Sequence, residues 1–232
     1  MSEIKIKNKD IVVPGEILST GMDYLPSFGT YRHGNYILAS RVGLVNIEGK
    51  VIKLIPLSGR YIPKRGDTII AQVTEILING WRLETNCAYP AMLTLKDATS
   101  DYIARGTDLR QYFDVGDYVV TKIVNVTSQK LIDVSMKGPG LKKLRGGRII
   151  EINTHKVPRI IGKQGSMVSM IKKATNCRII VGQNGLAWIS GEPKDEVIAV
   201  EAIRIIESES HISGLTDKVK NFLEEKTGVK NL

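Results

Sequence analysis

The amino-acid sequence predicts a multidomain, mainly β protein whose carboxyl-terminal domain combines helices with strands. Short apolar segments separated by glycine and proline turns fill the first two thirds of the chain, and two of these segments repeat one another. Helical periodicity appears only in the last third. A length of 232 residues suits two or three small domains. We place these domains at 1–62, 63–137 and 145–232.

Residues 1–62 are predicted to form a small all-β module. Strand-like segments occur at Ile11–Val13, Tyr36–Ser40 and Val51–Leu57. Pro14-Gly15 is a typical turn pair, and further glycines separate the later strands.

Residues 63–137 contain an internal repeat. Gly66–Ile76 matches Gly116–Val126, because both begin with Gly-Asp and carry apolar residues in step. Three further strand-like segments surround them: Trp81–Thr85, Ala91–Leu95 and Leu131–Met136. Five short strands suit a closed barrel of the OB type, in which closure removes the exposed edges. The stretch Asp97–Val115 is expected to be a mobile or partly helical loop. A coincidental likeness of two β-rich segments is the alternative explanation of the repeat.

The strand order and the two Gly-Asp pairs of residues 62–136 resemble the S1-type OB fold of RNA-binding proteins. Many such domains carry aromatic side chains on the second and third strands for base stacking. At these positions the sequence has Trp81, Arg82 and Thr94. The resemblance therefore implies RNA binding, with Trp81 as the candidate stacking residue and Lys122 as a basic contact. A core position for Trp81 is the alternative.

Residues 145–232 alternate strands with helices. A strand is expected at Arg148–Asn153, and Pro158 can begin a short helix because the first helical turn does not need its N–H. We expect Ser166 to cap the following amphipathic helix. The later elements are two strands at 177–181 and 186–190, a helix from Pro193, and a last helix that includes Ile212 and ends at Gly228. This last helix is interpreted as a packing element, with a docking surface as the alternative.

The motif that is most specific for a function is the loop formed by Gly162, Lys163, Gln164 and Gly165. The order β-α-α-β-β-α, with G-x-x-G between the first two helices, resembles the eukaryotic-type KH domain. Two glycines let a nucleic-acid backbone approach closely, and the next helix directs its amino terminus at the phosphates. Lys163 adds a charge and Gln164 a neutral hydrogen-bonding group. An ordinary tight turn between helices is the alternative.

The positive charge is concentrated around this loop. The whole chain carries a net charge of +9, whereas Lys137–Arg178 alone holds eleven basic residues and one acidic residue, Glu151. Such a segment attracts polyanions and releases their counterions on binding. A solvated basic face without a partner is the alternative. Besides the loop, four residues of the segment are candidate RNA contacts: Lys142, Lys143, Arg145 and Arg159.

The sequence argues against catalysis and against a bound metal or cofactor. Cys87 and Cys177 lie far apart, and the three histidines are scattered, so neither a disulfide nor a zinc site is supported. Asp97, Asp101 and Asp108 form the only acidic cluster of the barrel region and are interpreted as a solvated loop. No nucleophile or phosphate-loop motif occurs. No apolar run is long enough to span a membrane, so we expect a soluble, cytoplasmic protein without a membrane partner.

The three domains in this order resemble the RNA-binding cap subunit of the archaeal exosome, the ribosomal RNA-processing protein 4 family. Five stretches carry the likeness: Val13–Glu16, Gly29–Tyr31, Pro56–Gly66, Leu109–Arg110 and Ile160–Met167. The resemblance implies three copies on a hexameric ring of RNase-PH-like subunits, possibly mixed with another cap subunit. The cap would bind single-stranded RNA and lead its 3′ end into the ring, without cleaving it. The amino-terminal module and the KH domain would touch the ring, and the barrels would surround the pore.

Two other functions are compatible with the sequence. One is a free-standing S1/KH regulator of translation or transcription, which would bind RNA by the same chemistry but without a ring. The other is an enzyme with an unrecognised site, which would shorten RNA in the presence of phosphate or a divalent metal.

Overall fold

The computed structural model describes residues 3–57, 59–101, 103–104, 106–210 and 214–229. The chain divides into two compact units, 1–59 and 60–232. The barrel and the carboxyl-terminal domain, predicted as separate domains, share the second unit.

Over its described residues, the first unit consists of short strands joined by turns. They are β1 (Glu3–Ile4), β2 (Ile11–Val12), β3 (Ile17–Thr20), β4 (Leu25–Pro26), β5 (Thr30–His33), β6 (Tyr36–Ala39), β7 (Gly43–Glu48) and β8 (Val51–Pro56). The strands form two four-stranded sheets, in the orders β1-β3-β6-β5 and β2-β7-β8-β4. Side chains from both sheets, among them Leu18, Ile37, Val45 and Ile52, are fully buried in one cluster. The predicted all-β module is confirmed.

The second unit begins with a closed five-stranded barrel. Its strands are β9 (Thr68–Leu77), β10 (Gly80–Glu84), β11 (Ala91–Thr94), β12 (Tyr118–Val126) and β13 (Ile132–Ser135). They close in the order β10-β11-β13-β12-β9, which confirms the predicted OB-type barrel. The loop between β11 and β12 is partly helical, with α1 at Leu95–Ala98 and a 3₁₀ turn at Leu109–Gln111. Residues 102 and 105 of that loop lie outside the described part.

The internal repeat has a structural cause. The two repeats form β9 and β12, which pair antiparallel with each other. The N–H of Gly66 donates to the carbonyl of Ile123, and the N–H of Gly116 donates to the carbonyl of Val73, both at 2.8 Å. Each Gly-Asp turn therefore docks on the equivalent position of the other strand, and the pair has approximate two-fold symmetry.

The carboxyl-terminal domain has the predicted order of elements. They are β14 (Arg148–Glu151), α2 (Val157–Ile161), α3 (Ser166–Thr175), β15 (Arg178–Val181), β16 (Leu186–Ser190), α4 (Pro193–Ser208) and α5 (Leu215–Thr227). The antiparallel sheet has the order β14-β16-β15. Leu215, Val219 and Leu223 are buried in the same core as the other helices, so α5 is a packing helix, and it ends at Gly228 as predicted. Ile212 lies outside the described residues.

The prediction that Ser166 caps α3 is wrong. Gly165 occupies the capping position in the left-handed conformation, with φ of 79°, and Ser166 is the first helical residue. The described structure shows no side-chain capping bond at this helix end. A glycine fits there because the chain must reverse sharply between α2 and α3.

The sheet of the carboxyl-terminal domain packs on both faces. Side chains such as Ile150 and Ile189 face the helices. The opposite face carries the row Ile149, Trp188 and Ile180, which the strand register places side by side. This row packs in one cluster with Ile70 and Val120 of the barrel, which face each other across β9 and β12. Barrel and carboxyl-terminal domain therefore share an apolar interface.

Candidate nucleic-acid interface

Three of the four residues of the loop Gly162–Gly165 have a backbone φ in the left-handed region, which glycine adopts more easily than other residues. Gly162, Gln164 and Gly165 all have positive φ, at 77°, 54° and 79°. A Cβ atom on Gly162 would lie 2.7 Å from both the nitrogen and the Cβ of Met167, whereas a Cβ on Gly165 would meet nothing within 4 Å. Gly162 thus packs against the start of α3, while Gly165 borders open space where a ligand backbone could approach.

The side chains around the loop are exposed and positively charged. Lys163 and Gln164 extend into solvent, and Arg159 is exposed on the preceding helix. Lys163 and Arg159 make no ion pair with any residue that the structure describes. The loop leads directly into α3, whose first backbone N–H groups carry the positive end of the helix dipole. Together these groups can bind a phosphate of a nucleic-acid backbone.

The predicted basic residues between the barrel and the KH domain lie on a segment that is fixed to the barrel. The N–H of Val120 donates to the carbonyl of Lys142, and the N–H of Leu144 donates to the carbonyl of Tyr118, both at 2.8 Å. Residues 142–144 therefore extend the sheet along β12. Arg145, which follows them, is exposed.

Lys142 and Lys143 are held differently. The Lys142 Nζ lies 5.8 Å from the centre of the Trp188 ring, a cation–π distance. Lys143 is partly buried and forms an ion pair with Asp117. Burial alone would raise the pKa of Asp117, but hydrogen bonds from Lys143 and from the Asp114 N–H, with the charges of Lys143 and Arg145, lower it below its ordinary value. Lys143 therefore fixes the connecting segment to the barrel.

Lys122 lies on the same strand as this connection. It is exposed on β12, opposite Thr68 of β9 and Ser135 of β13. The structure thus brings Lys122 and Lys142 together along β12, although twenty residues separate them in the sequence.

The candidate stacking role of Trp81 is wrong for this structure. Trp81 is fully buried in the barrel core. Its Nε1 donates to the carbonyl of Phe113 at 2.9 Å, and its ring meets that of Phe113 edge-on at 5.1 Å between centroids. A side chain with all its surface buried and its one polar atom satisfied cannot stack on a base, so the core position is the correct interpretation.

Two carboxylates of the acidic cluster in the barrel loop accept hydrogen bonds from nearby residues. The Thr94 hydroxyl donates to the Asp97 carboxylate at 2.9 Å, and the Asp108 carboxylate accepts from the Arg110 N–H at 3.0 Å. Over the described residues, no group of three His, Cys, Asp or Glu side chains could hold a metal ion. None of the described helices is long and apolar enough to cross a membrane.

Sequence reasoning missed Asn184, which lies in a second G-x-x-G loop, Gly182–Gly185. Its side chain is fully buried between the KH domain and the barrel. Its Oδ1 accepts from the Ile70 N–H at 3.2 Å, and its Nδ2 donates to the carbonyls of Ile70 and Thr85 at 2.7 and 2.8 Å. This residue fixes the orientation of the two domains. The repeated G-x-x-G spacing was visible in the sequence, but the contact with the barrel was not.

Comparison with known proteins agrees with this architecture. Residues 11–48 match the family model described as the exosome complex exonuclease RRP4 N-terminal region, and residues 147–208 match the KH domain. The exosome complex component Rrp4 of Pyrococcus furiosus is 44% identical over 230 residues, which cover 97% of this chain and 87% of the relative. The chain belongs to the Rrp4 family of exosome components.

Other Rrp4 proteins give the same result. Rrp4 of Methanothermobacter thermautotrophicus is 42% identical over 97% of this chain and 71% of the relative. Rrp4 of Methanothermus fervidus is 42% identical over 94% and 96% of the two chains. A crystal structure assigned to an exosome complex RNA-binding protein superposes with a TM-score of 0.66 at 32% identity, covering 75% of this chain and all of that one.

Proposed function

We propose that this chain is a non-catalytic, RNA-binding cap subunit of a cytoplasmic exosome. It would bind single-stranded RNA and guide it into a catalytic ring for 3′-to-5′ degradation or processing. The observation that carries the proposal is the exposed, positively charged Gly162–Gly165 loop of a KH fold, in a chain that belongs to a family of exosome components. The buried contact of Asn184 supports it, because it fixes the KH domain to the barrel, so that both domains could contact the same RNA strand.

The family resemblance supports a specific set of partners. We propose that three copies sit on a hexameric ring of RNase-PH-like subunits, alone or mixed with another cap subunit. Co-expression with the ring subunits, followed by size-exclusion chromatography with light scattering, tests this. We expect a complex whose mass exceeds that of the ring by three copies of this chain. Recovery of the chain as a lone monomer that never joins the ring would instead favour a free-standing RNA-binding regulator.

The absence of catalysis needs its own experiment, because the matching family model carries the word exonuclease. The purified chain is incubated with end-labelled single-stranded RNA, in separate reactions with inorganic phosphate, Mg²⁺ or Mn²⁺. We expect the RNA to keep its full length in all of them, and to be shortened only when the ring is added. Shortening by the chain alone, co-eluting with the protein peak, would identify it as an enzyme.

A further inference from the structure

The barrel offers RNA two surfaces of different charge. The first is the outer face of β10 and β11, where OB-type barrels commonly bind oligonucleotides. On β10 this face exposes Arg82 and Glu84, but Arg82 is paired with Glu75. Glu84 also lines a cleft of about 400 Å³ beside the KH domain, together with Glu151. The Glu84 carboxylate accepts hydrogen bonds from the N–H groups of Thr85 and Asn86, but neither Glu84 nor Glu151 forms an ion pair with a described residue. Their negative charges repel phosphates, so this face is unfavourable for an RNA backbone.

The second surface follows β12 and is basic. The strand register places Lys122 between Thr68 and Ser135. Arg65 comes just before the Gly66 turn, whose N–H donates to the carbonyl of Ile123 on β12. Lys137 comes just after Ser135, and its N–H donates to the Ser135 hydroxyl at 3.1 Å. Arg65 and Lys137 therefore lie next to the ends of β9 and β13, the two strands that flank Lys122.

These cations continue into the connection to the KH domain. Lys137 leads into the segment that pairs with β12 through Lys142 and ends at Arg145. We call Arg65, Lys122, Lys137, Lys142 and Arg145 the β12 strip. Arg65, Lys122 and Lys137 are exposed, and none of them forms an ion pair with a described residue. Their charges are therefore available to a ligand.

We infer that the RNA backbone crosses the barrel along the β12 strip, with Arg65 and Lys137 as phosphate contacts in addition to Lys122 and Lys142. The outer face of β10 and β11 does not carry the RNA. This inference rests on the proposed function and specifies which surface of the barrel binds RNA. Trp81, the predicted stacking residue of the barrel, is buried and cannot provide that contact. Recognition by point charges predicts binding with little sequence preference.

The test uses the full chain and a fluorescently labelled single-stranded RNA, with affinity measured by anisotropy over a series of salt concentrations. The double variant Arg65→Gln/Lys137→Gln removes two contacts. Each contact to a single strand contributes roughly 0.7 to the slope of log affinity against log salt, so we expect the slope to fall by about 1.4. The same relation gives a loss of affinity of at least about tenfold at 0.1 M salt.

Two control variants distinguish the loss of contacts on the β12 strip from a general effect of lower net charge. Lys5→Gln/Lys50→Gln makes the same change in net charge on exposed lysines of the first unit, and Arg82→Gln removes the cation of the β10 face. Both should keep the wild-type affinity within about twofold, because neither loses a counterion-releasing contact. Circular dichroism melts establish that all variants are folded.

The outcomes are distinct. A strip variant with wild-type affinity and slope, combined with weakened binding by Arg82→Gln, would overturn the inference and place RNA on the β10 face. Loss caused equally by the Lys5/Lys50 control would also overturn it, since it would show only a net-charge effect. If the wild-type chain itself binds no RNA at any salt concentration, the proposed function fails together with the inference.

Discussion

The KH domain contains two loops with the same G-x-x-G spacing, and they differ in the exposure of their middle side chains. In Gly162–Gly165 the two middle side chains are exposed, and a Cβ on the last glycine would meet nothing. In Gly182–Gly185 the side chain of Asn184 is fully buried, and a Cβ on Gly182 would lie 2.4 Å from its Oδ1. The first loop is open to solvent, and the second joins two domains.

The spacing of the glycines alone therefore does not identify an RNA-binding loop. The second loop lies on the strand connection that abuts the barrel, where the Gln183 N–H donates to the carbonyl of Thr68 at 2.9 Å. The first leads into the exposed amino terminus of α3. Exposure and the following helix, rather than the glycines alone, are the features that would let the first loop bind phosphate.

The largest expected effect concerns the buried loop. Asn184→Ala removes the partners of three buried backbone groups, two of Ile70 and one of Thr85. Each unsatisfied buried group costs on the order of 1–3 kcal/mol, so the free energy of unfolding of the second unit should fall by about 3 kcal/mol. Urea denaturation followed by tryptophan fluorescence measures it. Gln183→Ala is the matched control and should change it by less than about 0.5 kcal/mol, because the hydrogen bond of residue 183 to Thr68 uses the backbone. A loss below 1 kcal/mol for Asn184→Ala would contradict the domain-joining role.

The two glycines of the exposed loop are expected to differ in their contribution to stability. Both have positive φ, so either Gly→Ala change costs on the order of 1 kcal/mol from backbone strain. Gly162→Ala must in addition displace the start of α3, because its Cβ would meet Met167 at 2.7 Å. We expect it to lower the free energy of unfolding by about 2–3 kcal/mol, against about 1 kcal/mol for Gly165→Ala. Thermal unfolding measures both variants. Equal losses of unfolding free energy would contradict the conclusion that only Gly162 packs against α3.

The smallest effect tests how much of the domain connection depends on charge. The pKa of Asp117 is lowered in the folded chain, so its ion pair with Lys143 stabilises the fold at pH values above the ordinary carboxyl pKa. That contribution is lost as the pH falls through the folded pKa. Asp117→Asn should therefore lower stability by at most about 1 kcal/mol at pH 7, and the difference from wild type should shrink below about pH 4. A difference that stays constant from pH 7 to pH 3 would point to packing instead.

Much of the fold was predictable because its signals are local. Alternating apolar residues gave the five barrel strands, and the repeated Gly-Asp turns correctly indicated two equivalent strands, β9 and β12. In the KH domain, the proline at 158 and the glycine at 228 marked the start and end of helices as expected. These features depend on neighbours along the chain, which a sequence displays directly.

The candidate site was less predictable because it depends on contacts between distant residues. Nothing near Trp81 in the sequence shows that Phe113 covers it, and nothing near Lys143 shows that Asp117 pairs with it. The capping prediction at Ser166 failed for a different reason, because a positive-φ glycine ended the preceding turn one residue earlier. The exposure of the Gly162–Gly165 loop, by contrast, agrees with its two polar middle residues, Lys163 and Gln164.

The most direct test of the central claim is RNA binding by the loop variant Lys163→Asp/Gln164→Asp, which keeps both glycines. Its affinity for a labelled single-stranded RNA is measured against wild type by anisotropy, over several salt concentrations. Replacing a cation and an amide by two anions should weaken binding by more than about tenfold and reduce the salt slope, with an unchanged melting temperature, because both side chains are exposed. An unchanged affinity with an unchanged salt slope would contradict the claim that RNA contacts this loop.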